Sequence, residues 1–222
     1  MPTQVPTPLL IFPCNGNGLE ALDCLGERYQ MVGFVDDTPE EQGTTAFGHP
    51  VLARRAFENH SSAQVLAVPG SPVSYRRRHE IIDGLGLEAD RFATVIHPSA
   101  RISPLARVGR NVLIMAGVVV TSNAVIGDHV CILPNTVVHH DVVIGDWTLI
   151  GSNVSIAGGA RLGNNCYVGS GSRIINGIEV GDRALVGLGS NVIRSVASDA
   201  TVAGNPARPQ LRRADSRSSS GA

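Results

Sequence analysis

Aliphatic residues recur at every sixth position through the second half of the chain. The run begins at Ile96 and continues without a gap to Val192. The position four residues later in each hexad is mostly small or β-branched, as at Ala100 and Ala160. An amphipathic helix or a β-sandwich does not keep a strict period of six, whereas two inward positions per hexad are typical of a hexapeptide β-helix. We therefore predict an all-β parallel β-helix over residues 96–208.

A slower repeat of glycine predicts the size of one coil. The recurring glycines are Gly109, Gly127, Gly145, Gly163 and Gly181, with a second series at Gly151, Gly169 and Gly187. Their spacing of 18 residues corresponds to three hexads. We expect these glycines to form the recurring corners of a three-sided coil, because corners need backbone conformations that glycine adopts readily. Each residue should then lie beneath the residue one coil later, about 4.8 Å away.

In residues 1–95, short apolar runs alternate with segments whose apolar residues have helical spacing. This pattern predicts a Rossmann-like α/β domain with βαβ units. The predicted strands are 9–12, 29–35 and 64–68, and the predicted helices are 19–27 and 51–59. Another predicted helix carries Arg76, Arg77 and Arg78, which we expect on a solvated face. Residues 209–222 are rich in Arg and Ser and poor in apolar residues, which predicts a disordered tail.

Three features of this first domain predict a nucleotide pocket at one edge of its sheet. Gly16, Asn17 and Gly18 begin a G-x-G-x-x-A motif between the first strand and the first helix, where free amides suit a phosphate. Asp36 ends the next strand and could bond a ribose hydroxyl or a base. Gly70 follows the third strand and opens the same edge.

A histidine followed by an aspartate interrupts the aliphatic coils at His140 and Asp141. A carboxylate beside an imidazole orients the ring and favours its charged form during proton transfer, as a general base requires. The residue one coil above His140 is Gly158, whose amide could stabilise the oxyanion of a thioester or ester carbonyl. The pattern predicts a catalytic site at this corner.

Composition excludes several other kinds of chemistry. The net charge is −1, so no overall field favours nucleic acid, and no apolar run is long enough to span a membrane. All 18 basic residues are arginine, which excludes lysine-based mechanisms. The four cysteines lack a C-x-x-C pair and no leader segment is evident, which indicates the cytoplasm, and Cys166 is expected to serve packing. The histidines show no convergent spacing, so we expect no metal.

The order of these parts resembles a known family. It comprises a small nucleotide-type domain, Ile-His-Pro-Ser-Ala at 96–100, a coil with His140 and Asp141, and Gly-Asn-Pro-Ala at 204–207. This arrangement is similar to the bacterial sugar O-acyltransferases of the sialic acid O-acetyltransferase type. That group includes N-acetyltransferases acting on UDP- or GDP-linked 4-amino sugars. The resemblance implies left-handed coils, acetyl-CoA as co-substrate, and homotrimers whose active sites lie between subunits.

The resemblance also implies roles for individual residues. His140 matches the general base, Asp141 the acid beside it, and Gly158 the residue whose amide meets the acetyl carbonyl. The positions that match the nucleotide-sugar site are Gly16, Asn17, Gly18, Asp36, Asp37 and Gly70. Ser170 and Leu188 match residues that, with Gly158, line the acetyl-CoA groove.

The sequence thus predicts an enzyme that moves acetyl directly from acetyl-CoA to the amino group of a UDP- or GDP-linked amino sugar. One alternative is O-acetylation of sialic acid or of another sugar hydroxyl by the same residues. A second alternative is a non-enzymatic, dinucleotide-binding protein whose β-helix serves only to form a trimer.

Overall fold

The computed structural model describes residues 5–210, which form an N-terminal α/β part and a parallel β-helix. The elements of the first part are β1 (Thr7–Phe12), α1 (Gly16–Glu20), β2 (Tyr29–Val35), β3 (Thr45–Ala46), β4 (His49–Leu52), α2 (Ala56–Asn59), β5 (Gln64–Ala67) and α3 (Arg78–Asp83). Short 3₁₀ segments cover Ala21–Cys24, Tyr75–Arg77 and Ala89–Arg91. The strand order is β3-β4-β2-β1-β5, in which only the β3–β4 pair is antiparallel.

Two predicted helices of this part differ from the structure. The segment predicted as a helix over 51–59 begins as strand β4, because Val51 pairs with Phe34 of β2 and is fully buried. Helix α1 begins earlier than predicted and gives way to a 3₁₀ segment at Ala21. Its early start has a local cause, since the Asn15 side chain caps the helix by accepting a hydrogen bond from the Gly18 amide.

Strands of the β-helix are short and evenly spaced. They are β6 (Val95–Ile96), β7 (Arg101–Ile102), β8 (Arg107–Val108), β9 (Leu113–Ile114), β10 (Val119–Val120), β11 (Val125–Ile126), β12 (Cys131–Ile132), β13 (Val137–Val138), β14 (Val143–Ile144), β15 (Leu149–Ile150), β16 (Ser155–Ile156), β17 (Arg161–Leu162), β18 (Tyr167–Val168), β19 (Arg173–Ile174), β20 (Glu179–Val180), β21 (Leu185–Val186), β22 (Asn191–Val192), β23 (Thr201–Ala203) and β24 (Arg208–Pro209). Every third strand belongs to the same sheet. Sheet I has the order β24-β23-β21-β18-β15-β12-β9-β6, sheet II β22-β19-β16-β13-β10-β7, and sheet III β20-β17-β14-β11-β8.

The strand register confirms the predicted coil of three hexads. Val119 pairs with Val137, and Ile126 pairs with Ile144, both in parallel. The aliphatic series forms one continuous buried cluster inside the prism, with Ile96 as an exposed exception. The last coil is shorter than predicted, because Leu185 pairs with Thr201.

The repeated glycines lie in the corners between strands, as predicted, but the predicted conformational reason is wrong, because none of them has a positive φ. The corner positions with positive φ recur instead at every sixth residue from Asn111, and many of them are asparagine. Glycines such as Gly109 allow the next coil to approach closely, since a Cβ there would lie 2.7 Å from the backbone of Gly127. Their spacing therefore reflects tight stacking of coils rather than backbone conformation.

The predicted tail is partly ordered at its start. Strand β24 pairs antiparallel with β23 and includes Pro209, and the Gln210 amide donates to the Thr201 carbonyl at 2.8 Å. The rest of that tail prediction, residues 211–222, lies outside the described residues. No helix among residues 5–210 has the length and apolar character needed to cross a bilayer.

A second hydrophobic cluster, outside the prism, joins the α/β part to the β-helix. Outward residues of sheet I, including Leu113, Cys131 and Leu149, pack in a buried cluster with Leu9 and Ile11 of β1. The opposite face of the N-terminal sheet packs in a separate cluster with α2 and α3. Sheet I is therefore covered by the α/β part.

The arginine run does not lie on a solvated face, so that prediction is wrong for two of its three members. Arg78 is fully buried, Arg76 is half-buried, and only Arg77 is exposed. The reason is tertiary: Arg76 and Arg78 donate to backbone carbonyls at the corners of the β-helix.

Candidate active site

His140 and Asp141 lie together at the corner between sheets II and III. The Nδ1 atom of His140 lies 2.7 Å from Oδ2 of Asp141. Asp141 occupies one of the left-handed corner positions, with φ of 59°, and its Oδ1 accepts a hydrogen bond from Asn123 Nδ2 at 3.1 Å. Asn123 is the corner residue one coil below, so the coil register holds the carboxylate in place.

Hydrogen bonding keeps Asp141 ionised and places a hydrogen on His140 Nδ1. The hydrogen bonds from His140 and then from Asn123 lower the pKa of Asp141, which is ionised at neutral pH. An ionised carboxylate can only accept, so His140 Nδ1 carries the hydrogen, and Nε2 is the nitrogen whose lone pair the neutral imidazole offers to a substrate proton. Both side chains are more than half exposed, and the imidazole can therefore meet a ligand.

Gly158 lies directly against the imidazole ring, one coil above. A Cβ on Gly158 would stand 2.5 Å from Nε2 of His140, so no larger residue leaves the ring in this position. Within residues 5–210 the Gly158 amide has no hydrogen-bond acceptor, although the next amide, that of Gly159, donates to the His140 carbonyl at 2.9 Å. A free N–H next to a general base is the arrangement that oxyanion stabilisation needs.

A cavity of about 360 Å³ lies where the α/β part meets sheet I. Its lining residues are Asn15, Gly16, Asn17, Gly70, Ser71, Pro72, Leu133, Leu149, Ile150, Gly151 and Tyr167. Three residues predicted from the sequence, Gly16, Asn17 and Gly70, are thus brought together. Asn17 Nδ2 also lies 3.5 Å from the Gly70 carbonyl oxygen, across the mouth formed by α1 and the loop after β5.

The other predicted nucleotide residues lie outside the lining of this cavity. Gly18 is buried beneath the Pro13 carbonyl, and its amide is used by Asn15. The Asp36 carboxylate accepts from the amides of Cys14 and Thr38, both at 2.9 Å. Asp36 therefore stabilises the segments that follow β1 and β2 through hydrogen bonds to their backbone.

Asp37 is committed to an arginine. Its two oxygens accept from Arg54 Nε at 2.6 Å and from Arg54 Nη2 at 2.7 Å. This bidentate geometry occupies both carboxylate oxygens. A ligand would have to displace or share Arg54 in order to reach Asp37.

Ser170 and Leu188 lie at the corner between sheets I and II, above Gly151. Ser170 Oγ accepts from the Ser152 amide at 3.0 Å, and Leu188 is 72% exposed. The cavity reaches the same corner at Gly151. His140 lies at the next corner, across the width of sheet II, a distance on the order of 20 Å for one six-residue side.

Sequence reasoning missed the apolar wall of the cavity. Leu149 and Tyr167 belong to the outward side of sheet I, where the residues at successive 18-residue intervals are apolar, and Leu133 directly follows β12 of the same sheet. The corresponding outward positions of sheets II and III include Arg101, Arg173 and Arg161. That contrast between faces was a signal for the docked domain.

The predicted packing role of Cys166 matches its surroundings, since it is fully buried and burial raises the pKa of its thiol to about 11. Among residues 5–210, no group of three or more His, Cys, Asp or Glu side chains is placed to hold a metal ion.

Part of the β-helix matches a known protein family. The bacterial transferase hexapeptide family (six repeats) matches residues 105–138 and 123–158. Both matched ranges lie within the β-helix. Comparison with curated protein sequences gave no match.

Solved structures resemble this chain over nearly its whole length. The acetyltransferase domain of PglB from Neisseria gonorrhoeae FA1090, in complex with acetyl coenzyme A, is 26% identical with a TM-score of 0.80, covering 92% of this chain and 100% of that one. PerB from Caulobacter crescentus, in complex with CoA and GDP-perosamine, is 26% identical with a TM-score of 0.80, covering 94% and 99%. WeeI from Acinetobacter baumannii AYE is 25% identical with a TM-score of 0.79, covering 92% and 99%.

Proposed function

We propose that this protein transfers acetyl from acetyl-CoA to the amino group of a UDP- or GDP-linked amino sugar. The observation that carries the proposal is the corner at which His140 Nδ1 contacts Asp141 at 2.7 Å while Nε2 faces Gly158. Support comes from the similar PerB, a perosamine N-acetyltransferase, whose structures with a histidine replaced by asparagine or alanine also hold CoA and GDP-perosamine.

Transfer is direct in this mechanism. The sugar amine attacks the thioester carbonyl carbon, and His140 Nε2 accepts the proton that the nitrogen loses. Asp141 holds the ring and stabilises the imidazolium, while the free Gly158 amide donates to the tetrahedral oxyanion. The C–S bond then breaks, and the CoA thiolate leaves with the proton from His140. The products are the N-acetylated sugar and CoA.

The nucleotide sugar occupies the cavity between the α/β part and sheet I. Gly16, Asn17 and Gly70 contact it there, and their position in the lining of the 360 Å³ cavity supports this assignment. Gly18 and Asp36 act on the same loop indirectly through their contacts with Asn15 and Cys14. Asp37 reaches the ligand only together with Arg54.

The protein acts as a homotrimer of left-handed β-helices, each with a Rossmann-like domain over residues 1–95. The positions of the site residues support a shared site, because the cavity and His140 lie at different corners of one prism. A neighbouring copy brings its own His140 corner to the corner of Ser170 and Leu188, and the groove between the copies holds acetyl-CoA. The four unpaired cysteines are compatible with a reducing cytoplasm.

The test is acetyl transfer measured by mass spectrometry of the products. Wild-type protein receives acetyl-CoA with UDP- and GDP-linked 4-amino sugars, their 4-hydroxy counterparts, and free sialic acid. We expect acetylated product from an amino sugar only, and a loss of kcat of at least about 10²-fold in His140→Ala.

The matched control is His139→Gln, which changes the adjacent, half-buried histidine and should retain wild-type kcat. Acetylation of hydroxyls alone would favour the O-acetyltransferase alternative. Binding of nucleotide without any acetyl transfer would favour the scaffold. Near-full activity of His140→Ala would exclude His140 as the base.

A further inference from the structure

The α/β part caps a row of backbone carbonyls on the β-helix. His129, Trp147, Arg183 and Asp199 are left-handed corner residues with φ between 57° and 62°. They lie along the edge between sheets III and I, where Asn165 separates Trp147 from Arg183. Their carbonyl oxygens accept hydrogen bonds from the segment that follows β5, in which Tyr75, Arg76 and Arg78 are the donors.

Arg78 is the buried member of this segment. Its Nε donates to the Trp147 carbonyl at 2.9 Å, its Nη2 donates to the His129 carbonyl at 2.5 Å, and its Nη1 donates to the Pro69 carbonyl. Arg78 is fully buried, and among residues 5–210 no carboxylate forms an ion pair with it. Burial lowers the pKa of its guanidinium to about 10, so the group is still charged at neutral pH.

Pro69 precedes the part of the loop that lines the substrate cavity. Gly70 has φ of 124°, and a Cβ there would lie 3.0 Å from both Arg78 Cγ and Leu149 Cδ1. The stem of Arg78 therefore packs against Gly70 from one side while its guanidinium holds the preceding carbonyl. Asn17 Nδ2 lies 3.4 Å from the Val68 carbonyl oxygen and joins the same loop to α1.

We propose that Arg78 is a positioning residue that fixes the Pro69–Gly70 wall of the substrate cavity to the β-helix and so determines the affinity for the nucleotide sugar. The inference rests on the proposed function, because it assigns that ligand to the cavity. Arg78 acts through the wall and touches no reacting atom.

Arg76 and Arg77 provide matched controls. Arg76 Nη2 donates to the Asp199 carbonyl at 2.9 Å and to the Arg183 carbonyl at 3.2 Å, so Arg76 docks the same segment through carbonyls other than that of Pro69. Arg77 is exposed, and within the described part of the chain its side chain forms one ion pair, with Glu80 at 3.7 Å. Variants of Arg76 therefore test the docking of this segment on the β-helix, whereas variants of Arg78 also test the position of the Pro69–Gly70 wall.

The experiment compares Arg78→Lys and Arg78→Met with Arg76→Gln and Arg77→Gln, measuring kcat and KM for each substrate. Removal of one charged hydrogen bond predicts about a tenfold higher KM for the nucleotide sugar in Arg78→Lys, and a larger rise in Arg78→Met. We expect kcat and the KM for acetyl-CoA to stay within about twofold of wild type, since the His140 corner is unchanged. Arg76→Gln should lower the melting temperature without changing KM, and Arg77→Gln should change neither.

The single tryptophan, Trp147, reports whether the domains remain docked, because its ring contacts the His79 ring of α3 with centroids 6.0 Å apart. A wild-type KM in Arg78→Lys with unchanged fluorescence would overturn the proposal, as would an equal rise in KM in Arg76→Gln. If both Arg78 variants unfold, solvent exchange of the guanidinium hydrogens, followed by NMR of the wild type, decides. Exchange at Arg78 much slower than at the exposed Arg77 supports the proposal, and exchange at the rate of Arg77 overturns it. Failure of wild type to acetylate any amino sugar would instead refute the proposed function.

Discussion

The imidazole of His140 lies against the α-carbon of Gly158, so closely that a Cβ on Gly158 would stand 2.5 Å from Nε2 and 2.6 Å from Cε1. These residues are one coil apart, and the coil register brings them together. A side chain at position 158 and the present position of the ring therefore exclude each other.

Replacement of Gly158 by alanine should displace the imidazole by about 1 Å and lower kcat on the order of 10²-fold. The melting temperature should change little, because Gly158 does not use a left-handed conformation and the ring can swing into solvent. Steady-state kinetics and thermal melting measure the two effects. Ala157→Gly, at the adjacent position, is the control, and a kcat for Gly158→Ala within twofold of wild type would contradict the prediction.

The pKa of Asp141 should respond to each of its two donors. Its carboxyl pKa is lowered first by His140 and then by Asn123, so His140→Ala should raise it more than Asn123→Ala does. Because the folded pKa is the lower one, any stability from this carboxylate is present above the ordinary Asp pKa of about 4 and is lost as pH falls through the folded value.

Carbon-13 NMR titration of the Asp141 carboxyl measures these shifts directly. His139→Gln leaves both donors of Asp141 in place, so it is the control and should leave the Asp141 titration unchanged. Identical Asp141 titrations in the wild type and in His140→Ala would show that the 2.7 Å contact does not persist in solution.

Close stacking of coils makes certain glycines irreplaceable. A Cβ on Gly145 would lie 2.6 Å from the carbonyl carbon of Gly163. Because this atom belongs to the backbone of the next coil, it cannot move away without disturbing that coil. We expect Gly145→Ala to lower the free energy of unfolding by about 1–3 kcal/mol, as overpacking does. Gly16→Ala is the control, because nothing lies within 4 Å of its Cβ position. Equal denaturation midpoints for the two variants would contradict this account.

Much of the β-helix could be predicted from periodicity, since a repeat of six names its inward residues, such as Ile144 and Val168, directly. The same repeat placed Gly158 above His140. The role of the repeated glycines was misjudged, because glycine serves both positive φ and close approach of two backbones, and spacing does not distinguish the two. The shorter final coil could not be predicted, because the aliphatic series that would mark it ends at Val192.

The contacts that the coil register dictates can be predicted from the amino-acid sequence: the buried aliphatic series, and the pairing of His140 with Asp141 beneath Gly158. These follow from a local, repeated geometry in which separation along the chain sets separation in space. Three features became visible in the folded protein alone: the docking of the α/β part on sheet I, the burial of Arg78, and the cavity that Gly16, Asn17 and Gly70 share with Leu149 and Tyr167. Those contacts join segments with no common period, so they depend on the complementarity of two folded surfaces rather than on any pattern within either one.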